Sequence, residues 1–243
     1  MPTIRFQPNA GRFGSSHPKD TFIVLRMIRR SIYLLGMGGF GPELLQLLRY
    51  TQGEVNWEYG GYFDDNAAEK LGIFGPYRGS IAEALQLPEG TALALSPFLP
   101  QTKEAILASL IPSLHRFEFP NLIHQSVQNP KEAIRWGQGN IVQGGCWFTT
   151  DIQIGDFNSF NHQVSVGHGA RIGSFNAFMP KASLAGDVHM GDSNLLALGS
   201  SVLATRHLGN HQHLGPHACL MSSATGYPKG TLWMGVPALP QNP

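Results

Sequence analysis

The chain has 243 residues, a formal net charge of +1 and 14% charged residues, where ~25% is ordinary for a soluble domain. That balance excludes the strong field expected of a nucleic-acid-binding protein or of one recruited to an anionic membrane. The length suffices for one large or two small domains with a sizeable core, and the 29 glycines point to a turn-rich β architecture.

Residues 1–26 are polar, lack periodicity and lack the apolar stretch of a signal peptide. They are expected to form a disordered extension or to precede a functional start at Met27, with a transit segment as the alternative. The chain contains no run of ~18 apolar residues, so no membrane-spanning helix is predicted. The two cysteines, Cys146 and Cys219, do not make a disulfide framework and suggest a reducing compartment.

A Rossmann-like domain is predicted over residues 27–115. The stretch "SIYLLGMGGFGPELLQLLRY" reads as a buried strand, a glycine turn and an amphipathic helix. Gly36, Gly38 and Gly41 match G-x-G-x-x-G, and Asp64 and Asp65 close a second strand at the distance of the acidic residue in a dinucleotide fingerprint. A tight turn of exposed N–H groups at a helix start favours a phosphate. The stretch "TALALSPFLPQTKEAILASLI" supplies a further strand and helix, with Ser96 at the strand end. Only one mononucleotide-type half is present, which favours a nucleotide-linked ligand over hydride chemistry. Residues 116–135 are expected to be a linker and first turn.

Residues 136–226 carry an internal repeat. The segments "WGQGN", "IGDFN", "IGSFN", "MGDSN" and "LGNHQ" start at 136, 154, 172, 190 and 208, a constant spacing of 18. Within it, fifteen consecutive positions six residues apart, from Trp136 to Leu220, are all apolar. A period of six fits neither an α-helix nor a plain alternating strand. Three hexads make one triangular coil of short strands and turns, with one apolar residue per side pointing inward. Residues 227–243 remain as a carboxy-terminal tail.

The period also states what stacks on what. Asn140, Asn158, Asn176 and Asn194 share a column and are expected to form an amide ladder. Cys146 and Cys219 fall about four coils apart, roughly 19 Å at the strand spacing, too far to bridge. His168, within "VSVGHGARIGSFN", shares its column with Thr150, Gly186, Ala204 and Ser222, whose small side chains predict a trough beside the imidazole. Asp151 and Asp187 lie one coil below and above Gly169, so either is a candidate to orient His168, with a carboxylate from a neighbouring chain as the alternative. His207, His211, His213 and His217 fall on different phases of the coil and do not form a predicted metal site.

In this order, "LLGMGGFG", "GGYFDDN", "FPNLIHQSV", "VGHGARIGSF", "LAGDVHMGD" and "MGVPA" make residues 31 to about 238 resemble the bacterial nucleotide-sugar acetyltransferases of the left-handed β-helix class, which modify UDP- or GDP-linked 4-amino-sugars or sialic acid. The resemblance implies an α/β amino-terminal half-Rossmann domain followed by a left-handed parallel β-helix. It implies that His168 is the general base for an acceptor amine or hydroxyl that attacks acetyl-CoA, a role suited to a group with an ordinary pKa of ~6.5. It places Asn161 close to the reacting sugar. It assigns the nucleotide sugar to Gly38, Gly39, Phe40, Asp64, Asp65 and Ser96, and CoA to the coil groove near Ala177, Gly186, Leu198 and Pro216. It implies a homotrimer with active sites between chains; a cytoplasmic location, where CoA and nucleotide sugars occur, and no metal are expected.

The chain departs from that pattern at several places. Gly169 stands where an acidic residue usually follows the histidine, and Phe40 and Ala177 stand where histidines are common. Pro216 lacks the N–H that a small residue offers there. Leu239 stands where the last motif usually has lysine. Two alternatives follow: a nucleotide-sugar-binding homologue that has lost acyl transfer, and an NAD-dependent oxidoreductase suggested by the glycine motif.

Overall fold

The computed structural model describes residues 28–53, 55–66, 74–128 and 133–241; the extension expected over residues 1–26 lies outside the described residues. The first sheet of the described residues has five parallel strands: β1 (Ile28–Leu35), β2 (Val55–Phe63), β3 (Tyr77–Gly79), β4 (Thr91–Leu95) and β5 (Phe117–Glu118). Their order across the sheet is β3-β2-β1-β4-β5. In the central β1, Ile32, Leu34 and Leu35 are fully buried, as a strand covered on both faces requires. Two helices follow strands: α1 (Gly41–Leu48) and α2 (Pro100–Leu110), each with proline in its first turn, where the missing N–H costs nothing. A 3-10 turn over Ile81–Gln86 stands between β3 and β4, its start held by Glu83 accepting the Ser80 N–H at 2.6 Å. The strand order reverses between β1 and β4, which opens a crevice at their carboxyl ends.

From Leu122 the chain winds as a three-sided coil. One side runs from Ile134–Trp136 to His207–Leu208, the second from Leu122–Ile123 to Leu239–Gln241, and the third from Trp147–Phe148 to Cys219–Leu220. Strands one coil apart pair in parallel and in register, as in Ser159↔Ala177 and Phe160↔Phe178. The predicted hexad positions form the interior: Val142 to Leu220 are buried and Trp136 packs against them. Removing this continuous apolar column from water is the main force holding the coil. Phe160 and Phe178 stack with ring centroids 4.6 Å apart. The segment expected as linker already supplies strands to both units, and the expected tail supplies Leu232–Met234 and Leu239–Gln241, which extend the second side.

Each corner needs one residue in the left-handed region. That residue recurs every six positions from Gly139 to His217, and side chains occupy ten of these positions. In the column through Gly169 (φ 69°), Asp151 has φ 53° and Asp187 has φ 57°. The asparagine ladder stands at the corner between the first two sides. Asn158 Nδ2 donates to Asn140 Oδ1 at 3.0 Å, and Asn158 Oδ1 accepts from the N–H and Nδ2 of Asn176 at 2.9 and 3.0 Å. Asn121 continues the ladder below, and the Gln212 N–H continues it above.

Sheet and coil share their cores. Leu122 and Ile141 pack with Ile32 and Leu44, and Phe119 and Phe157 pack with Leu107 and Leu110. Across this seam α2 sends Lys103, only 1% exposed, whose Nζ donates to Phe157 O and Ser159 Oγ, both at 2.8 Å. Burial pushes its ammonium down to about 7. The adjacent Glu104 accepts from the Ser193 hydroxyl. No helix of the described residues is long and apolar enough to cross a membrane.

Candidate active site

The crevice at the ends of β1 and β4 is a cavity of about 580 Å³. Five of the six residues assigned to the nucleotide sugar line it: Gly38, Gly39, Phe40, Asp64 and Asp65. A Cβ at Gly38 or Gly39 would meet nothing within 4 Å, so the backbone of this turn is open to a ligand. Asp64 is buried and holds the turn itself: Oδ2 accepts the Met37 N–H at 2.6 Å and Oδ1 accepts the Asn66 N–H at 2.8 Å. Asp65 caps the 3-10 turn through the Ile81 N–H at 2.9 Å and is exposed to the cavity. Ser96, the sixth, is fully buried with its hydroxyl unpartnered, beside Gly41 and behind the cavity wall.

The sequence reading missed that wall. Pro97, Phe98 and Leu99 follow β4, and Ile106 and Ala105 come from α2. Phe98 meets Phe40 edge-on with centroids 5.2 Å apart. Their signal was their place directly after the strand on the other side of the order reversal, where ligands gather in open α/β sheets.

His168 stands on the corner between the third and first sides of the coil, 64% exposed in its side chain. Its Nδ1 lies 3.8 Å from Asp187 Oδ2. The other candidate carboxylate is engaged elsewhere: Asp151 Oδ2 bonds Arg171 at 3.0 Å, and Oδ1 lies 4.0 Å from Arg135. A Cβ on Gly186 would lie 2.6 Å from His168 Nε2, so the imidazole lies against the bare backbone of Gly186 in the next coil. On the adjacent column, Leu203 and Met221 are exposed apolar side chains two and three coils above Gly167, a second feature that sequence reading passed over.

Other assigned residues are dispersed. Asn161 stands at the opposite edge of the third side, buried, its Oδ1 accepting the His162 N–H at 2.7 Å. Within one chain it is therefore not beside His168. Ala177 has no exposed surface; it is the register neighbour of Ser159, which Lys103 covers. Leu198 and Pro216 are exposed on the same corner as Asn161. Among the described residues, those lining the large cavity come from the sheet unit and none comes from the coil. His207, His211, His213 and His217 lie on two sides and two corners of the coil.

Sheet, crevice and coil together define an α/β half-Rossmann unit joined to a left-handed parallel β-helix. No protein-family model and no curated protein matches the sequence. Among solved structures, the chain resembles a perosamine N-acetyltransferase variant from Caulobacter crescentus in complex with CoA and GDP-perosamine, at 21% identity over 88% of this chain and 97% of that one, TM-score 0.74. It resembles WeeI from Acinetobacter baumannii AYE at 20% identity over 88% and 100%, TM-score 0.71. It also resembles the acetyltransferase domain of PglB from Neisseria gonorrhoeae FA1090 at 19% identity over 87% and 100%, TM-score 0.69. The likeness runs through both units, and the fold expected from the sequence motifs is the one these proteins have.

Proposed function

We propose that this protein is an acyltransferase that moves an acetyl group from acetyl-CoA to the amine, or a hydroxyl, of a nucleotide-linked sugar, in the cytoplasmic supply of sugars for surface glycans or glycoproteins. The observation that carries the reading is an exposed imidazole, His168, on a coil corner against the bare backbone of Gly186, in a chain that also builds an open glycine turn at a strand-order reversal. Fold neighbours were solved with CoA and GDP-perosamine, and another with acetyl-CoA. His168 takes the proton of the acceptor as its nitrogen or oxygen attacks the thioester carbonyl. The C–S bond then breaks, and the imidazolium returns that proton to the CoA thiolate.

The open backbone at Gly38 and Gly39 is suited to a diphosphate, Asp65 to a hydroxyl, and the Phe40–Phe98 wall to the apolar faces of the ligand. With Ala177 fully buried, Gly186, Leu198 and Pro216 are the positions for CoA. Since the cavity and His168 do not share a lining in one chain, the reading includes a homotrimer in which the active site lies between neighbouring chains, with Asn161 contributed across that boundary.

The test is thiol release from acetyl-CoA with a panel of UDP-, GDP- and dTDP-linked 4-amino-sugars. One acceptor is expected to give turnover that His168→Ala lowers by ~10²–10⁴-fold, the usual contribution of a general base. Nucleotide-sugar binding with no thiol release from any acceptor defeats the reading and leaves a binding protein.

A further inference from the structure

Two glycines frame the His168 imidazole, and each leaves empty the space that a neighbouring functional group fills. A Cβ built on Gly169 would overlap the Asp187 carboxylate, and one built on Gly186 would overlap the His168 ring near Nε2. The contacts are reciprocal: the residue after the histidine makes room for the carboxylate of the next coil, and the residue before that carboxylate makes room for the histidine. The backbones are locked in this stagger by the Asp187 N–H, which donates to His168 O at 2.7 Å.

We propose that Asp187 is the positioning residue of His168: it holds the Nδ1–H tautomer and so leaves Nε2, over the open Gly186 backbone, as the proton acceptor. This inference rests on His168 acting as the acyl-transfer base. The 3.8 Å separation of Nδ1 and Oδ2 is longer than a hydrogen bond, and such contacts tighten once substrate excludes water. Asp151 faces arginines instead, with Oδ2 3.0 Å from Arg171 and Oδ1 4.0 Å from Arg135. Ordinary histidine in water prefers the proton on Nε2, so a carboxylate at Nδ1 has a definite tautomer to reverse.

The arrangement makes an unusual demand: the carboxylate is transferable. A side chain on residue 169 would start in the space the Asp187 carboxylate now occupies. Aspartate is already tolerated in that left-handed column at 151 and 187. Gly169→Asp alone therefore crowds two carboxylates into one space. Gly169→Asp with Asp187→Gly moves the carboxylate to the same coil as the histidine.

The experiment compares wild type, Asp187→Ala, Gly169→Asp and the Gly169→Asp/Asp187→Gly double variant, using full-length chains with melting curves to verify folding. Two readouts are taken: kcat for acetyl transfer, and the tautomer of His168 by ¹⁵N NMR, with His168→Ala identifying its resonances. Asp187→Ala is expected to lose ~10–100-fold in kcat, a share of the general-base contribution, and to shift His168 toward Nε2–H. The double variant is expected to recover both, which a merely structural role for Asp187 does not predict. An unchanged tautomer in Asp187→Ala, or a folded double variant that recovers neither readout, overturns the proposal. If wild type turns over no acceptor, the acyl-transfer reading fails on that result alone, and the tautomer still decides whether Asp187 positions His168.

Discussion

At the scale of single residues, Lys103 shows how burial sets chemistry. Its Nζ meets two acceptors, Phe157 O and Ser159 Oγ, which match the two donors of a neutral amine better than the three of an ammonium. In the unfolded chain lysine titrates near ~10.4, and in the folded protein near 7. Between these values the unfolded state binds more protons, so stability rises with pH across that window and its cost is complete below about 7. Urea titrations from pH 7 to 10 are expected to show wild type gaining stability relative to Lys103→Met, with a slope difference approaching ~1.4 kcal/mol per pH unit. Parallel slopes refute a depressed lysine. Lys103 was legible in the sequence only as a polar residue on a predicted helix, because nothing local states which face of α2 a distant coil will cover.

At the scale of elements, the coil is stabilised by columns, not by individual strands of two residues. The asparagine column shows why. Asn158 both donates to Asn140 and accepts from two donors of Asn176, all buried. Asn158→Ala leaves those donors unpaired in the interior, at ~1–3 kcal/mol for each unsatisfied group. The melting temperature is expected to fall by ~5–15 °C in calorimetry. A fall no larger than that of an exposed corner substitution such as Thr205→Ala would show that the ladder is incidental. This column and the hexad interior were both readable from spacing, since a coil of fixed length turns a sequence period directly into a spatial neighbour.

At the scale of the whole molecule, the seam between sheet and coil matters most. α2 carries Lys103 and Leu110 toward the coil and presents Ala105 and Ile106 to the large cavity. The cavity is thus fixed relative to the second side of the coil, while His168 stands at the corner of the other two. A site built between chains has a direct signature. Ala105→Trp should fill the cavity and His168→Ala should remove the proposed base, so each variant alone is expected to be inactive. Co-expressed in equal amounts, they should recover roughly a quarter of wild-type activity, the share of chain boundaries that pair an intact histidine with an open cavity in a cyclic oligomer. Hybrid particles that stay inactive would place the whole site within one chain.

The sequence by itself determined whatever repeats or is local: the inward apolar columns, the amide ladder, the glycine turn closing β1 and the small residues around His168. These depend on a fixed period or on a few adjacent residues, so their geometry follows from spacing. The tertiary structure alone decided that Asp187 and not Asp151 faces the imidazole, because Arg135 and Arg171 claim the other carboxylate. It also decided that Asp64 is spent on the glycine turn, that Asn161 stands across a coil side from His168, and that Lys103 is buried 54 residues in sequence from the carbonyl that receives it. In each case competing partners were available along the chain, and only the docking of sheet on coil and the packing of side chains between coils selected among them.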